Sequence, residues 1–384
     1  MRILHTVAYY PPDEGGGASE VVRQLSERLA RKGHQVTVAT QYTPKRHVTE
    51  LNGVKVKQFR NGGVMGQSVL GIWGNTSEFK RTLVEGGYDI IMNFAAQTWH
   101  TDLTCRFLRK IRARAVLCAC GYSGLIGWRR LVYAYYFWRL PGYLRLYDAV
   151  VYNAPGYRDE QFGIRHRITN GKIIPNGIDT AEFSHAPIDF RGYYGVQTPH
   201  ILLTVGDHYA NKGHKRIFEA FARLKRDDVT LVMMGRRKGG WPRGCWSSCR
   251  SLAKGFGKRV LMVDGAPRGH VVAAYLEATL FLSGSMIEAF PLVILEAMGS
   301  GVPFVAYPAG NIADLPGGLI VRSGPEMVEA VSYLLNSKAA RDELGLAGRK
   351  EQRRRYEWDS IVDQYESLYQ ELLNSPSRRG KANL

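Results

Sequence analysis

Short apolar strands alternate with amphipathic helices along this chain, and the alternation begins twice. In the first half, the apolar run Ile3–Ala8 predicts a buried strand, and the spacing of apolar residues predicts a helix over Ser19–Lys32 before a second strand at Gln35–Thr40. In the second half, Ile201–Val205 and a helix over Lys215–Leu224 restart the same pattern. Strands that alternate with helices in this way form mostly parallel sheets with helices packed on their faces.

The remaining apolar runs predict further strands in both halves of the chain, and a linker separates the two halves. The segment Ile173–Asp179 contains Pro and Asn-Gly and predicts a turn-forming linker. The 384 residues are enough for two domains that each bury a core. We therefore predict an α/β fold with two doubly wound, Rossmann-like domains that face each other across a cleft, over residues 1–178 and 179–357. Further strands are expected at Val54–Phe59, Asp89–Phe94, Ala115–Ala119, Ala149–Asn153, Thr230–Met234, Arg259–Val263, Thr279–Leu282 and Phe304–Ala306.

A final helix is predicted over Trp358–Leu373, within a terminal segment of residues 358–384. One face of this helix is apolar, so it must pack against another part of the protein. The apolar positions are Ile361, Val362, Tyr365, Leu368, Tyr369 and Leu372.

The charge of the chain favours anionic partners. Lys and Arg number 52 against 34 Asp and Glu, a net charge of +18, and the first 180 residues hold 25 basic and 13 acidic residues, a net charge of +12. Nucleic acid, anionic lipid and phosphorylated substrates all fit such a charge. Because no helix-turn-helix, zinc-finger or RNA-binding signature accompanies it, we expect no nucleic-acid partner.

The apolar runs and the cysteines bear on location and on metal binding. No run reaches the roughly 20 apolar residues of a membrane-spanning helix, and Ile3–Ala8 is too short for the core of a signal peptide. The five cysteines are too scattered for a disulfide framework. We expect a cytoplasmic protein, soluble or peripheral on the inner face of the plasma membrane. Cys245 and Cys249 have the spacing of half a zinc site, but no second Cys or His pair follows, so no metal ligand is assigned.

The glycine-rich turn before the first helix suits a phosphate but not a dinucleotide. Such a turn directs backbone N–H groups and the positive end of the helix to one point. In the dinucleotide fingerprint a third glycine follows, but Glu20 stands at that position, and the second strand ends without the acidic residue that binds a ribose. Gly16 and Gly17 therefore border either a pocket for another ligand or a turn that merely needs glycine.

Two glutamates eight positions apart carry the strongest chemical signal. Glu288 precedes a probable helix that Pro291 opens, and Glu296 follows the apolar run Leu292–Leu295 inside it. A carboxylate beside such a run needs a partner, because an unpaired buried charge costs several kcal/mol. Two acceptors so placed fit two sets of sugar hydroxyls, with the helix N-terminus facing a diphosphate between them. A pair of surface or capping acids is the alternative.

In these motifs the chain resembles glycosyltransferase family 4, the retaining nucleotide-sugar transferases of the GT-B fold. The resemblance covers nearly the whole length, and the last helix crosses back to the first domain in that family. The matching residues are Tyr10, Gly16, Gly17, Gly33 and His34 in the opening unit, Pro175–Asp179 in the linker, Glu288, Glu296, Ala297, Met298, Gly301 and Pro303 around the glutamate pair, and Trp358.

The resemblance implies roles for individual residues. Glu288 would contact the donor sugar near the reacting carbon and Glu296 the ribose, while Lys212 would neutralise the diphosphate leaving group. Glu288 and Lys212 are thus the expected catalytic residues. The rest of the donor site would comprise Gly16, Gly17, Gly206, Arg216, Ala289, Phe290 and Leu292. UDP and GDP both remain open as the nucleotide of the donor, with UDP favoured by family frequency, and the acceptor would be a glycan or a lipid-linked saccharide of cell-surface polysaccharide or lipopolysaccharide. No cofactor is expected, and no metal requirement, since the sequence has no Asp-x-Asp motif.

The chain departs from the family pattern at three places. Asp207 stands after Gly206, near the expected diphosphate, where its charge would repel the anion. Pro291 replaces a glycine and has no backbone N–H to donate. The family's histidine after a strand of the first domain is absent, since Ala119-Cys120-Gly121 takes its place. His5 and His100 are candidates by elimination, and a core or surface position is the stronger expectation for each.

A segment rich in aromatic and basic residues, 128–147, predicts a surface for membrane docking. On a helix, Trp128, Leu131, Tyr135 and Trp138 share one side, where rings would meet a lipid interface and arginines its headgroups. The alternative is core packing of the rings. For the whole protein, the alternatives are a nucleotide-sugar epimerase of the same fold, a non-catalytic sugar-nucleotide binder and a nucleic-acid-binding basic protein.

Overall fold

The computed structural model of the chain describes residues 1–12, 16–63, 71–237 and 244–379. The chain divides into two compact units. The first contains Met1–Asn176 together with the segment from Trp358 onward, and the second is Gly177–Glu357. The first division falls inside the predicted linker and the second where the terminal helix begins. None of the helices in the described ranges combines the length and the apolar character needed to cross a membrane.

The first unit is built on an eight-stranded sheet with the order β10-β9-β8-β7-β1-β2-β4-β3. Every pair in it is parallel except β3 with β4, and β5 and β6 form a separate antiparallel pair. The strands β7 and β9 are buried along their whole length, as expected for a sheet covered on both faces. The strands are β1 (Arg2–Thr6), β2 (Gln35–Gln41), β3 (Glu50–Leu51), β4 (Val54–Phe59), β5 (Asn61–Gly63), β6 (Ile72–Gly74), β7 (Ile90–Phe94), β8 (Arg114–Cys118), β9 (Ala149–Tyr152) and β10 (Gly171–Ile173). The helices are α1 (Gly17–Arg31), α2 (Thr76–Glu85), α3 (Trp99–Phe107), α4 (Arg129–Val132), α5 (Ala134–Leu144) and α6 (Arg158–Arg165).

The second unit is built on a parallel six-stranded sheet with the order β13-β12-β11-β14-β15-β16. Its strands are β11 (His200–Val205), β12 (Val229–Met234), β13 (Val260–Val263), β14 (Leu280–Ser283), β15 (Phe304–Ala306) and β16 (Gly318–Ile320). Its helices are α7 (Phe190–Tyr194), α8 (His214–Leu224), α9 (Trp246–Lys254), α10 (Arg268–Glu277), α11 (Leu292–Ser300), α12 (Gly324–Asn336) and α13 (Lys338–Arg355). The strand order reverses between β11 and β14, and ligands of such sheets bind outside the carboxyl ends of the strands at this point.

The last helix, α14 (Trp358–Leu373), belongs to the first unit, as the sequence predicts. It packs along α1, where Lys32 Nζ lies 2.5 Å from a carboxylate oxygen of both Asp363 and Glu366. In the core, the hydroxyl of Tyr369 lies 3.2 Å from Nε2 of His5 on β1. Trp358 at the start of the helix is buried, and so is the whole predicted apolar face, which comprises Ile361, Val362, Tyr365, Leu368, Tyr369 and Leu372.

Candidate active site

Lys212 and Glu288 come together where the strand order of the second sheet reverses, which we call its switch point. Lys212 ends a short 3-10 turn in the loop after β11, and Glu288 lies in the loop between β14 and α11. The Lys212 Nζ donates to Glu288 Oε1 over 2.7 Å, and their side chains are 26% and 13% exposed. A cation and a carboxylate in contact, both reachable from solvent, therefore stand where this sheet type binds its ligands.

Backbone packing between the two loops fixes this contact. Gly213 has φ +64, and a Cβ atom there would lie 1.9 Å from the carbonyl oxygen of Gly284. The N–H of Met286 donates to the carbonyl of Asn211 over 2.9 Å. Since no side chain fits between Gly213 and Gly284, the loops touch directly, and Lys212 is held within reach of Glu288.

Asp207 is paired with an arginine, so the charge that was expected to repel the diphosphate is compensated. Its carboxylate accepts from Arg236 Nε over 2.8 Å and from Nη2 over 2.7 Å. Gly235 makes this possible, because a Cβ atom there would lie 1.9 Å from the carbonyl of Gly206. Arg236 was not predicted from the sequence as a site residue, although the pair Gly235-Arg236 directly follows the predicted strand Thr230–Met234.

The second glutamate of the pair, Glu296, has an arginine partner. It is the fifth residue of α11, just over one turn from the start of the helix, and it is 8% exposed. Its Oε1 accepts from Arg268 Nη1 over 2.5 Å, and Arg268 also contacts both oxygens of Glu182. Burial raises the pKa of Glu296, and Arg268 opposes this shift. The expected partner of the buried carboxylate therefore exists, but the sequence did not identify it.

The backbone of Gly310 packs closely against the backbone of Glu288 and Ala289. Gly310 has φ +65, and a Cβ atom there would lie 2.8 Å from the carbonyl of Ala289 and 2.9 Å from that of Glu288. Phe290 is buried and meets the ring of Tyr356 edge-on at 5.6 Å. Helix α11 begins at Leu292, which is half-buried, so Pro291 precedes the first helical residue instead of being that residue.

The other predicted donor-site residues of this unit lie at the same edge of the sheet. Gly206 directly follows β11, and a Cβ atom there would lie 3.8 Å from Lys212 Cδ, an ordinary contact. The Arg216 guanidinium on α8 lies 4.5 Å from the ring centroid of Tyr307, which follows β15. Arg216 is thus held against an aromatic ring at the carboxyl end of the sheet.

Gly16 and Gly17 lie in the first unit, where α1 begins at Gly17. The Gly16 carbonyl accepts from Ser19 over 3.0 Å, and a Cβ atom on Gly16 would meet nothing within 4 Å. Packing inside the unit therefore does not demand glycine at position 16. Residues 13–15 of the predicted turn lie outside the described residues.

His5 and His100 are core residues of the first unit. Both are fully buried, and burial lowers the pKa of each imidazole to about 3. The Nδ1 of His5 lies 2.8 Å from Ser26 Oγ, and that of His100 lies 2.9 Å from Thr6 Oγ1. The expectation of a core or surface position is therefore met by a core position for both.

The aromatic and basic segment places large apolar side chains in solvent. Exposed fractions are 74% for Trp128, 83% for Leu131, 67% for Tyr135 and 74% for Trp138. The opposite side of the segment packs into the core through Tyr133, Phe137, Leu140 and Leu144. Core packing therefore does not explain the four exposed residues, which together we call the aromatic face.

Two family models match the chain, and together they span most of it. One described as Glycosyltransferase Family 4 matches residues 15–182, and one described as Glycosyl transferases group 1 matches residues 190–351. An uncharacterized glycosyltransferase of Methanocaldococcus jannaschii is 24% identical over 96% of this chain and 98% of its own. The O-antigen chain mannosyltransferase C of Escherichia coli is 22% identical over 98% of this chain and 100% of its own.

Solved structures share the architecture over nearly the full length. Anabaena HepE in complex with UDP-glucose has a TM-score of 0.78 at 18% identity, over 96% of this chain and 99% of its own. These neighbours are GT-B glycosyltransferases, so the predicted GT-B fold is confirmed. With matched fold and matched sequence families in both halves, this chain belongs to glycosyltransferase family 4.

Proposed function

We propose that this glycosyltransferase moves a sugar from a nucleotide diphosphate sugar to a glycan or lipid-linked saccharide, with retention at the anomeric carbon, in cell-surface polysaccharide or lipopolysaccharide synthesis. The contact between Lys212 and Glu288 at the switch point carries the proposal. It joins the two groups the reaction needs, a cation for the leaving diphosphate and a carboxylate for the sugar. The name of the similar O-antigen chain mannosyltransferase supports the assignment to surface polysaccharide.

The leaving group sets the requirements of the chemistry. A departing nucleoside diphosphate is already a stabilised anion, so the site must supply positive potential and must position the acceptor hydroxyl. Lys212 supplies a full charge, and the N-terminus of α11 supplies partial positive charge from backbone N–H groups. Pro291 removes one N–H from this set but not those of the first turn. These groups suffice for a transfer step that needs no metal.

Glu288 has two tasks in this scheme. Before the donor binds, it neutralises Lys212, which is only 26% exposed. When a diphosphate arrives, Lys212 is shared with the phosphate oxygens, and the Glu288 carboxylate becomes available to accept hydrogen bonds from sugar hydroxyls. The pair thereby links arrival of the leaving group to orientation of the sugar.

Glu296 would bind the ribose hydroxyls. Arg268 holds one of its oxygens, and this contact opposes the rise in the pKa of Glu296 that burial causes. A carboxylate fixed in this way presents its other oxygen as an acceptor without having to be ordered on binding.

The nucleotide is identified by thermal shift of the purified chain with UDP, GDP, ADP and their common sugars. A ligand at 100 times its Kd stabilises the folded protein by about 2.7 kcal/mol, so the true donor stands out. We expect the largest shift with a UDP-sugar, since the similar HepE was crystallised with UDP-glucose. Product analysis with that donor then shows transfer, and a free epimerised nucleotide sugar without acceptor would contradict the proposal.

The aromatic face is proposed to dock on an anionic bilayer, where a lipid-linked acceptor would be presented. Arg129, Arg130 and Arg139 lie on the same two short helices, and each basic residue near an anionic leaflet contributes about 1 kcal/mol. The guanidinium of Arg139 is oriented by the hydroxyls of Tyr135 and Tyr143, at 3.1 and 3.0 Å.

Liposome flotation tests this docking. The chain is expected to float with vesicles that contain anionic lipid, to dissociate as salt is raised, and to lose binding by at least tenfold when Arg129 and Arg130 or Trp128 and Trp138 become alanine. Trp73→Ala is the matched control, because this tryptophan is 52% exposed elsewhere in the same unit. Vesicle binding that changes neither with salt nor on substitution of the two arginines or the two tryptophans would refute the docking surface.

A further inference from the structure

Four side chains with the chemistry of metal ligands meet in the second unit, beside the loop that carries Lys212. They are His208, His214, Cys245 and Cys249, and their candidate ligand atoms all lie within 4.8 Å of one another. The pairs are distant in sequence, since 30 residues separate His214 from Cys245. The histidine pair precedes the cysteines in the sequence, so no second pair of ligands follows Cys249.

Local structure presents each pair to the same point. Cys245 and Cys249 lie one helical turn apart at the start of α9, and the Cys249 N–H donates to the Cys245 carbonyl over 2.9 Å. His214 is the first residue of α8, and the His208 carbonyl accepts from the Cys245 N–H over 3.0 Å. The two cysteines are separated by three residues and the two histidines by five, both usual for structural zinc.

The distances fit a tetrahedral ion. With zinc bonds of about 2.3 Å to sulfur and about 2.0–2.1 Å to nitrogen, ligand atoms are spaced roughly 3.3–3.8 Å apart. The Cys245 Sγ lies 3.3 Å from His214 Nδ1 and 3.7 Å from His208 Nδ1. The cluster is therefore already close to the size of an occupied site.

Burial gives an independent indication of a ligand. His208, His214 and Cys249 are 1%, 4% and 2% exposed, so they have little access to water. The nitrogen of His208 that faces the cysteines is Nδ1, so Nδ1 is the candidate ligand atom, and the buried Nε2 on the other side of the ring does not take part. Buried imidazoles and thiols that face one another gain a common partner when a metal ion lies between them.

We propose that His208, His214, Cys245 and Cys249 bind one zinc ion. Two imidazoles and two thiolates form a neutral site with Zn²⁺, and this mixed nitrogen and sulfur set favours zinc over the hard cations Mg²⁺ and Ca²⁺. Because four protein ligands leave no open position, the ion is structural and takes no part in bond making. The proposal that transfer needs no metal concerns the reaction itself and is compatible with a structural ion at this site.

The ion would brace the donor-binding loop. His208 and His214 lie on either side of Lys212 in sequence, and the cysteines tie both to α9. Zinc would thus fix the segment that holds Lys212 against Glu288, making its four ligands positioning residues. This consequence for donor binding rests on the proposed function, whereas metal binding stands on the four side chains alone.

Metal analysis tests the site without any assay of activity. The chain produced in zinc-containing medium is expected to carry about one zinc ion per molecule by mass spectrometry, and a variant with Cys245→Ser and Cys249→Ser close to none. Cys118→Ser with Cys120→Ser is the matched control, since those sulfurs lie 3.5 Å apart in the first unit. The control is expected to keep its zinc.

A measurement on the unchanged chain guards against a variant that fails to fold. Protein produced with cobalt in place of zinc is expected to show the absorption of tetrahedral cobalt with thiolate-to-metal charge transfer. Absence of bound metal together with two freely reactive thiols, or a Cys245–Cys249 disulfide found by mass spectrometry, would overturn the proposal.

The bracing role is tested separately. Removing the ion with a chelator is expected to weaken nucleotide-sugar binding about tenfold or more, because a displaced Lys212 loses its charge-assisted hydrogen bond to the diphosphate. Unchanged donor affinity in the metal-free, folded chain would refute the bracing role. A chain that holds zinc but binds no nucleotide sugar would refute the proposed function and leave the metal site intact.

Discussion

Glu288→Ala is expected to lower the rate of sugar transfer by about 100-fold or more, as removal of a contact made in the transition state does. The change removes the acceptor of the sugar hydroxyls and leaves Lys212 without the carboxylate that it contacts at 2.7 Å. Initial rates at saturating donor measure the effect. Lys212→Ala is expected to cause a loss of similar size, because the diphosphate then departs without its cation.

Conservative variants and a remote control sharpen this test. Glu288→Gln keeps the size of the side chain and one acceptor, so it is expected to retain more activity than alanine while still losing the charge that holds Lys212. Glu329→Ala removes an exposed glutamate from α12 and is expected to change nothing. An unchanged turnover number for Glu288→Ala would remove this residue from the reacting centre.

Gly213→Ala is expected to destabilise the second unit by about 2–5 kcal/mol and to abolish donor binding. The added Cβ atom would lie 1.9 Å from the carbonyl oxygen of Gly284, so one of the two loops must move. Such movement separates Lys212 from Glu288. The thermal unfolding midpoint reports the loss of stability, and the shift produced by the nucleotide sugar reports the loss of the site.

Gly195→Ala separates the clash from backbone strain. Gly195 ends α7 with φ +67, close to the +64 of Gly213, but a Cβ atom on it would meet nothing within 4 Å. It therefore carries only the cost of a left-handed alanine, about 1 kcal/mol, and is expected to leave donor binding intact. Equal effects of the two substitutions would show that the contact between the loops does not matter.

The strand pattern was readable from the sequence because buried parallel strands are nearly continuous apolar runs. Val54–Phe59 agrees at both ends with a strand of the structure, and Phe304–Ala306 does as well. The strand Gly318–Ile320 was missed, since its three residues give no period to detect. Lys212 and Glu288 were assigned to one site by the family resemblance, and the strand order explains why they meet, because both loops leave the sheet at its carboxyl edge.

Contacts between segments that are distant along the chain could not be predicted from the sequence. Nothing local to Glu296 indicates that Arg268 is its partner, and nothing near Asp207 indicates Arg236. The histidines and cysteines of the proposed zinc site also meet only after α8 and α9 pack. Spacing rules detect ligands within one turn or one loop, whereas tertiary packing assembles these groups.

The membership of α14 in the first unit has a consequence for biosynthesis. The ribosome releases Trp358–Leu373 only after the whole second unit has been made, so the first sheet must wait for the helix that covers it. Until then the partners of α14, among them His5 and the apolar side of α1, remain uncovered in the nascent chain. A stop codon just before residue 358 would therefore harm the half of the protein translated first, although every residue of its eight-stranded sheet would be present.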